Sequence, residues 1–137
     1  MHRTRLAPRC WIGTTFALLA FTLSIPGYSK VLHEERSVYT RIIVEDERNL
    51  RCLKFTLVRE NSRQTCMDRN NPQRLVFDYA KMTLSALLLK PDPKRILIIG
   101  LGGGTLPMAL RDILPSTVID TVEIDEAVVR VAKRFFD

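Results

Sequence analysis

Arg95-Ile96-Leu97-Ile98-Ile99-Gly100-Leu101-Gly102-Gly103-Gly104 is the stretch on which the reading of this chain turns. Its first half carries no polar alternation, the pattern of a strand buried on both faces of a parallel sheet. It runs directly into glycines, which let the backbone bend sharply and let another group approach without meeting a Cβ. Residues 105–114 are helix-compatible, with Pro107 tolerated in the first turn. Residues 118–122 read as a second strand that closes on Glu123-Ile124-Asp125. Residues 126–136 read as a second helix with Val128, Val129, Ala132 and Phe135 as its apolar stripe. Strand, glycine loop, helix, strand, acid, helix is half of a doubly wound nucleotide-binding unit. The expected class is therefore α/β.

The glycine spacing narrows the ligand. A dinucleotide fingerprint wants Gly-x-Gly-x-x-Gly. Counted from Gly100 the last place falls on Thr105, and counted from Gly102 it falls on Pro107. The spacing present is Gly100-x-Gly102-x-Gly104, the pattern of enzymes that use S-adenosylmethionine. Glu123 lies 23 positions beyond Gly100, near the roughly 20 at which an acid closing the second strand accepts hydrogen bonds from a ribose. Candidate donor-binding residues are Gly100, Gly102, Gly103, Gly104, Glu123 and Asp125, although Asp125 also suits the cap of the following helix. The adenosyl compound would be a co-substrate, with no permanently bound cofactor.

Upstream, residues 37–67 read as β-structure. Tyr39 to Glu45 is rich in β-branched and aromatic residues. Residues 46–49 form a polar break of hairpin length, and Leu53, Phe55 and Leu57 share one face of the next strand. Residues 63–67 suit a third short strand. Asn71 and Pro72 suit a helix start, with the helix over 73–89 and Pro91-Asp92-Pro93 stopping it. The resulting division is a small antiparallel β region at 30–72 and a partial Rossmann-like, donor-binding region at 73–137. Cys52 and Cys66 could pair across a hairpin in an oxidising compartment, but two free cysteines are the preferred reading. No metal site is expected, since neither His2 nor His33 lies near another ligand.

Residues 1–29 have a basic start (Arg3, Arg5, Arg9), an apolar run from 10 to 25, and Pro26 before small residues. That is the layout of a secretory signal, or of an uncleaved membrane anchor. A wrongly assigned start would instead leave the protein cytoplasmic. The chain of 137 residues has net charge +6, and outside this segment 18 basic residues face 15 acidic ones. That balance argues against a nucleic-acid partner.

Residues 94–100 and 123–129 resemble the core of the spermidine synthase (polyamine aminopropyltransferase) family. Phe77-Asp78-Tyr79-Ala80-Lys81-Met82 is similar to that family's Phe-x-Tyr-x-x-Met, and Ser37-Val38-Tyr39 to its early Ser-x-Tyr. The resemblance covers roughly residues 37–137. It implies decarboxylated S-adenosylmethionine as donor, a polyamine as acceptor, and Tyr79 as a substrate-side candidate, with a buried structural tyrosine as the alternative reading of that residue. A homo-oligomer through the β region is a further expectation. The family's catalytic Asp would lie beyond Asp137, so no catalytic residue is assigned within this chain.

The departures are specific. Thr40 stands where the family has Gln, Gly103 where it has Asp, Leu75-Val76 where it has an Asp-Glu pair, and Lys81 where it has an acid. Those groups would hold cationic substrate parts. The adenosine and ribose half of the site is intact. Methyl transfer on the same scaffold, and a non-catalytic remnant, are the alternative readings.

Overall fold

The computed structural model describes residues 29–57 and 60–137. The segment read as a signal or anchor lies outside them except for Ser29, as does Val58. Among the described residues, no helix is long and apolar enough to cross a membrane.

β1 (Ser29–Arg36), β2 (Arg41–Glu47), β3 (Leu50–Leu57) and β4 (Glu60–Asp68) form one antiparallel sheet in chain order. The sheet thus has one strand more than the three expected: Ser29–Arg36 form β1, and residues 37–40 are a loop rather than the start of a strand. The Ser37 hydroxyl accepts from the amides of Tyr39 and Thr40, each at 3.1 Å, and those bonds bend the chain there. Strands β2 and β3 extend to Glu47 and from Leu50, which leaves only Arg48 and Asn49 as the turn. Arg48 takes the left-handed φ of 56° that such two-residue turns demand.

The register of β3 with β4 sets Cys52 opposite Cys66, and the two form a disulfide. The preference for free cysteines is corrected: the sequence gives their spacing, but only the register brings them face to face.

The expected helix over 73–89 is also corrected. Leu75 bridges Met67 on β4, and the Arg74 guanidinium reaches the Asp68 carboxylate at 2.9 Å. Residues 71–74 instead make a turn, closed by the Arg74 amide on the Asn71 carbonyl at 3.0 Å, and these contacts keep it beside the sheet rather than at the start of a helix. Helix begins only at α1 (Asp78–Thr83), followed by the single turn α2 (Ala86–Leu89).

β5 (Arg95–Ile99) and β6 (Val118–Val122) pair in parallel, Arg95 opposite Val118 through Ile99 opposite Val122. α3 (Thr105–Ile113) and α4 (Glu126–Phe135) follow them, as the sequence implied. β5 is not buried on both faces, however. Leu97 is 64% exposed and Ile99 86% exposed, because this two-stranded sheet is packed on one face only.

The core lies between the two sheets' elements. Val128 and Val131 of α4 pack with Ile42, Val44, Leu53, Met67 and Phe136. The buried stripe of α4 is Ala127, Val128, Val131 and Ala132, one step round from the expected one. Each fully buried aliphatic side chain here contributes about 1.5–3 kcal/mol. The boundary drawn at residue 72 therefore divides the sequence but not the core. Arg51 strengthens the junction: its guanidinium holds the Asp46 carboxylate and donates to the Phe135 carbonyl at 3.0 Å.

Two carboxylates link this packing to pH. The hydrogen bonds from Arg51, with Arg51 and Arg69 charges nearby, hold Asp46 below the ordinary 3.8. The Asn70 amide, with Asn49 and Arg74, does the same for Asp68. A folded-state value below the unfolded one stabilises the fold above the unfolded value, and the gain is lost as pH falls through the folded value. The urea midpoint should therefore be flat down to about pH 5 and fall below about pH 4. Asp46→Asn should lower the midpoint at neutral pH and flatten the acid slope. Denaturation at a series of pH values checks both, and an unchanged slope would contradict the assignment.

Candidate functional site

The bend after β5 and the acid after β6 meet. Gly100 has φ 95°, a conformation that a side chain would strain, and its amide donates to the Val122 carbonyl at 2.8 Å. The next amide, that of Leu101, donates to Glu123 Oε2 at 2.9 Å. Glu123 Oε1 accepts from the Asp125 amide at 3.1 Å. One carboxylate thus grips backbone from the end of each parallel strand. A carboxylate has about four lone-pair sites, so two bonds leave acceptor capacity for a ligand.

Gly102 and Gly103 face the antiparallel sheet. Gly102 has φ 56°, and a Cβ there would lie 2.4 Å from Thr65 Oγ1. The Gly103 amide donates to that same hydroxyl at 3.0 Å. A Cβ on Gly103 would sit 2.9 Å from Phe136 Cδ1 and 3.0 Å from Thr65 Cγ2. Gly104 is the N-cap of α3.

A cavity of about 320 Å³ opens here, lined by Phe55, Gln64, Tyr79, Ile99, Leu106 and Glu123 together with Gly100 and Gly102. That is within the usual range for a small-molecule site. Tyr79 is 58% exposed, and its hydroxyl donates to the Gln64 carbonyl at 3.2 Å. It is a cavity wall and not a buried structural residue.

Of the candidates read from sequence, Gly100, Gly102, Glu123 and Tyr79 are brought together around this space. Gly103 lies behind it against Thr65 and Phe136. Asp125 is buried and caps α4 by accepting from the Ala127 amide at 3.0 Å. The sequence reading missed Phe55, Gln64 and Thr65. Nothing local marks them, because they reach the site only through the packing of one sheet on the other. A larger cavity, about 470 Å³, runs along α3 past Met108, Asp112 and Phe136, and it holds neither Glu123 nor the loop glycines. Among the described residues, no three His, Cys, Asp or Glu side chains are grouped to hold a metal ion.

No family model matches the chain. It is 46% identical over 125 residues to the polyamine aminopropyltransferase of Vibrio vulnificus, covering 88% of this chain and 42% of that protein. It is 37% identical over 93 residues to the polyamine aminopropyltransferase of Chromobacterium violaceum, covering 68% of this chain and 34% of that protein. The chain thus spans about two fifths or less of these relatives. Among solved structures, a probable spermidine synthase from Corynebacterium glutamicum matches with a TM-score of 0.61 at 18% identity, over 77% of this chain and 39% of that one. That match speaks to the fold.

The packing around Gly103 makes a direct prediction. Gly103→Ala should destabilise the fold by about 1–3 kcal/mol, the usual cost of overpacking. Adding Phe136→Leu should recover part of what Gly103→Ala loses, although Phe136→Leu alone costs stability. Urea denaturation of the three variants checks this. Strictly additive losses would contradict the contact.

Proposed function

Because the chain belongs to the spermidine synthase, or polyamine aminopropyltransferase, family, we propose that this cavity takes decarboxylated S-adenosylmethionine for aminopropyl transfer to a polyamine. The observation that carries the reading is the Glu123 carboxylate held beside the loop, 2.9 Å from the Leu101 amide.

In this reading the free lone pairs of Glu123 accept from the ribose hydroxyls. The bend at Gly100 and Gly102 gives the adenosine close access to backbone. Tyr79 and Phe55 form apolar walls on the substrate side. The donor carries a sulfonium and an ammonium, and Glu123 is the sole carboxylate among the described residues that line the cavity. The amine acceptor attacks the methylene carbon next to the sulfonium. A carbon–nitrogen bond forms as the carbon–sulfur bond breaks, its electron pair passes to sulfur, and a neutral thioether leaves. The amine's proton passes to a base, as general-base catalysis requires. The described residues bind and orient the donor, and none of them is assigned that proton. The donor is consumed, so no resident cofactor is required.

One observation favours methyl transfer from S-adenosylmethionine as the second reading. Positions where the family resemblance expects acids hold Leu75, Val76 and Lys81, and a dication in a partly buried site needs anions. The two donors differ only by a carboxylate. Calorimetric titration of the full chain with each one decides between them. The proposal expects the decarboxylated donor to bind at least tenfold tighter. Tighter binding of S-adenosylmethionine would favour methyl transfer, and binding of neither would overturn both readings.

A further inference from the structure

We propose that Thr65, a residue of the antiparallel sheet, is the positioning residue that sets the shape of the donor loop. This inference rests on the reading of that loop as the donor site.

Three observations converge on it. Thr65 is 4% exposed, on β4, and opposite Leu53 of the core. Its hydroxyl accepts the Gly103 amide at 3.0 Å, a buried bond across 38 positions of sequence. The same oxygen fills the space beside Gly102 that a Cβ would need, and its methyl group does the same beside Gly103. The loop has no side chain of its own at these positions with which to fix its course. A glycine-rich loop left free samples many conformations, and ordering it on binding costs affinity. Thr65 meets that cost in advance. It holds the middle of the loop from behind while Glu123 holds the front at Leu101. Its neighbours fix it in turn: Cys66 is tied to Cys52 by the disulfide, and the Gln64 carbonyl is tied to Tyr79. The shape of the donor loop is thus set by a strand outside the nucleotide-binding unit, and the site is complete only when the two sheets are docked.

The test compares Thr65→Val, which keeps the shape and removes the acceptor, with Thr65→Ser, which keeps the hydroxyl. Two readouts are taken on the full chain: affinity for the decarboxylated donor, and hydrogen exchange of the Gly103 amide beside reference amides in β5 and β6. Thr65→Val should weaken donor binding about tenfold, the worth of one buried hydrogen bond. It should also speed exchange at Gly103 at least as much, with the reference amides unchanged. Thr65→Ser should restore both. A general loss of stability would speed all the amides together and would overturn the assignment. So would wild-type affinity in Thr65→Val. If the wild-type chain binds no donor, the reading of the site fails. Slow Gly103 exchange that is lost only in Thr65→Val would then still establish the latch, and fast exchange in the wild type would refute it.

Discussion

The Glu123 carboxylate is the point on which the architecture of this site depends. It accepts from Leu101 at the end of one parallel strand and from Asp125 beyond the other. Hydrogen bonds from backbone amides to an ionised acceptor are among the stronger ones available. This pair closes the mouth of the β5–β6 ladder just where the glycines bend the chain. A neutral side chain of the same length could not serve both amides equally, because an amide group has one acceptor atom. The carboxylate thus has a structural duty, and two bonds leave it acceptor capacity, which the proposed reading gives to a ribose.

A second constraint comes from outside the unit built on β5 and β6. The helix that follows Glu123 buries its apolar stripe against β2, β3 and β4. That docking carries Thr65, Gln64 and Phe55 to the cavity. A two-stranded parallel sheet cannot hide an apolar helix face by itself, and here the antiparallel sheet supplies the cover. The same packing explains why Gly103 is glycine. The place where the resemblance leads one to expect an Asp side chain is taken by Phe136 and Thr65.

How much of this was legible in the sequence depended on range. The strand–loop–helix–strand–acid–helix order of residues 95–136 follows from local pattern, and the structure reproduces it within a residue or two. The meeting of Glu123 with the bend follows as well, because parallel pairing leaves that acid no other place. What failed depended on distant partners. Asn71 and Pro72 carry helix-start signals, yet the bridge from Leu75 to Met67 outweighs them. Cys52 and Cys66 show a spacing that suits either free or paired thiols, and the register decides. Ile99 and Leu97 read as doubly buried because the apolar run implies two covered faces, while the structure covers one. Thr65 had no signal at all.

The central claim is that adenosine sits between the bend and Glu123. The most direct measurement is titration of methylthioadenosine, which carries the adenosine without the aminopropyl chain, into the isotope-labelled protein, followed by amide chemical shifts. The account predicts that the largest changes fall on Leu101, Gly102 and Asp125, the amides on or beside the Glu123 carboxylate. Changes centred instead on Met108, Asp112 and Phe136, along the larger cavity, would contradict it.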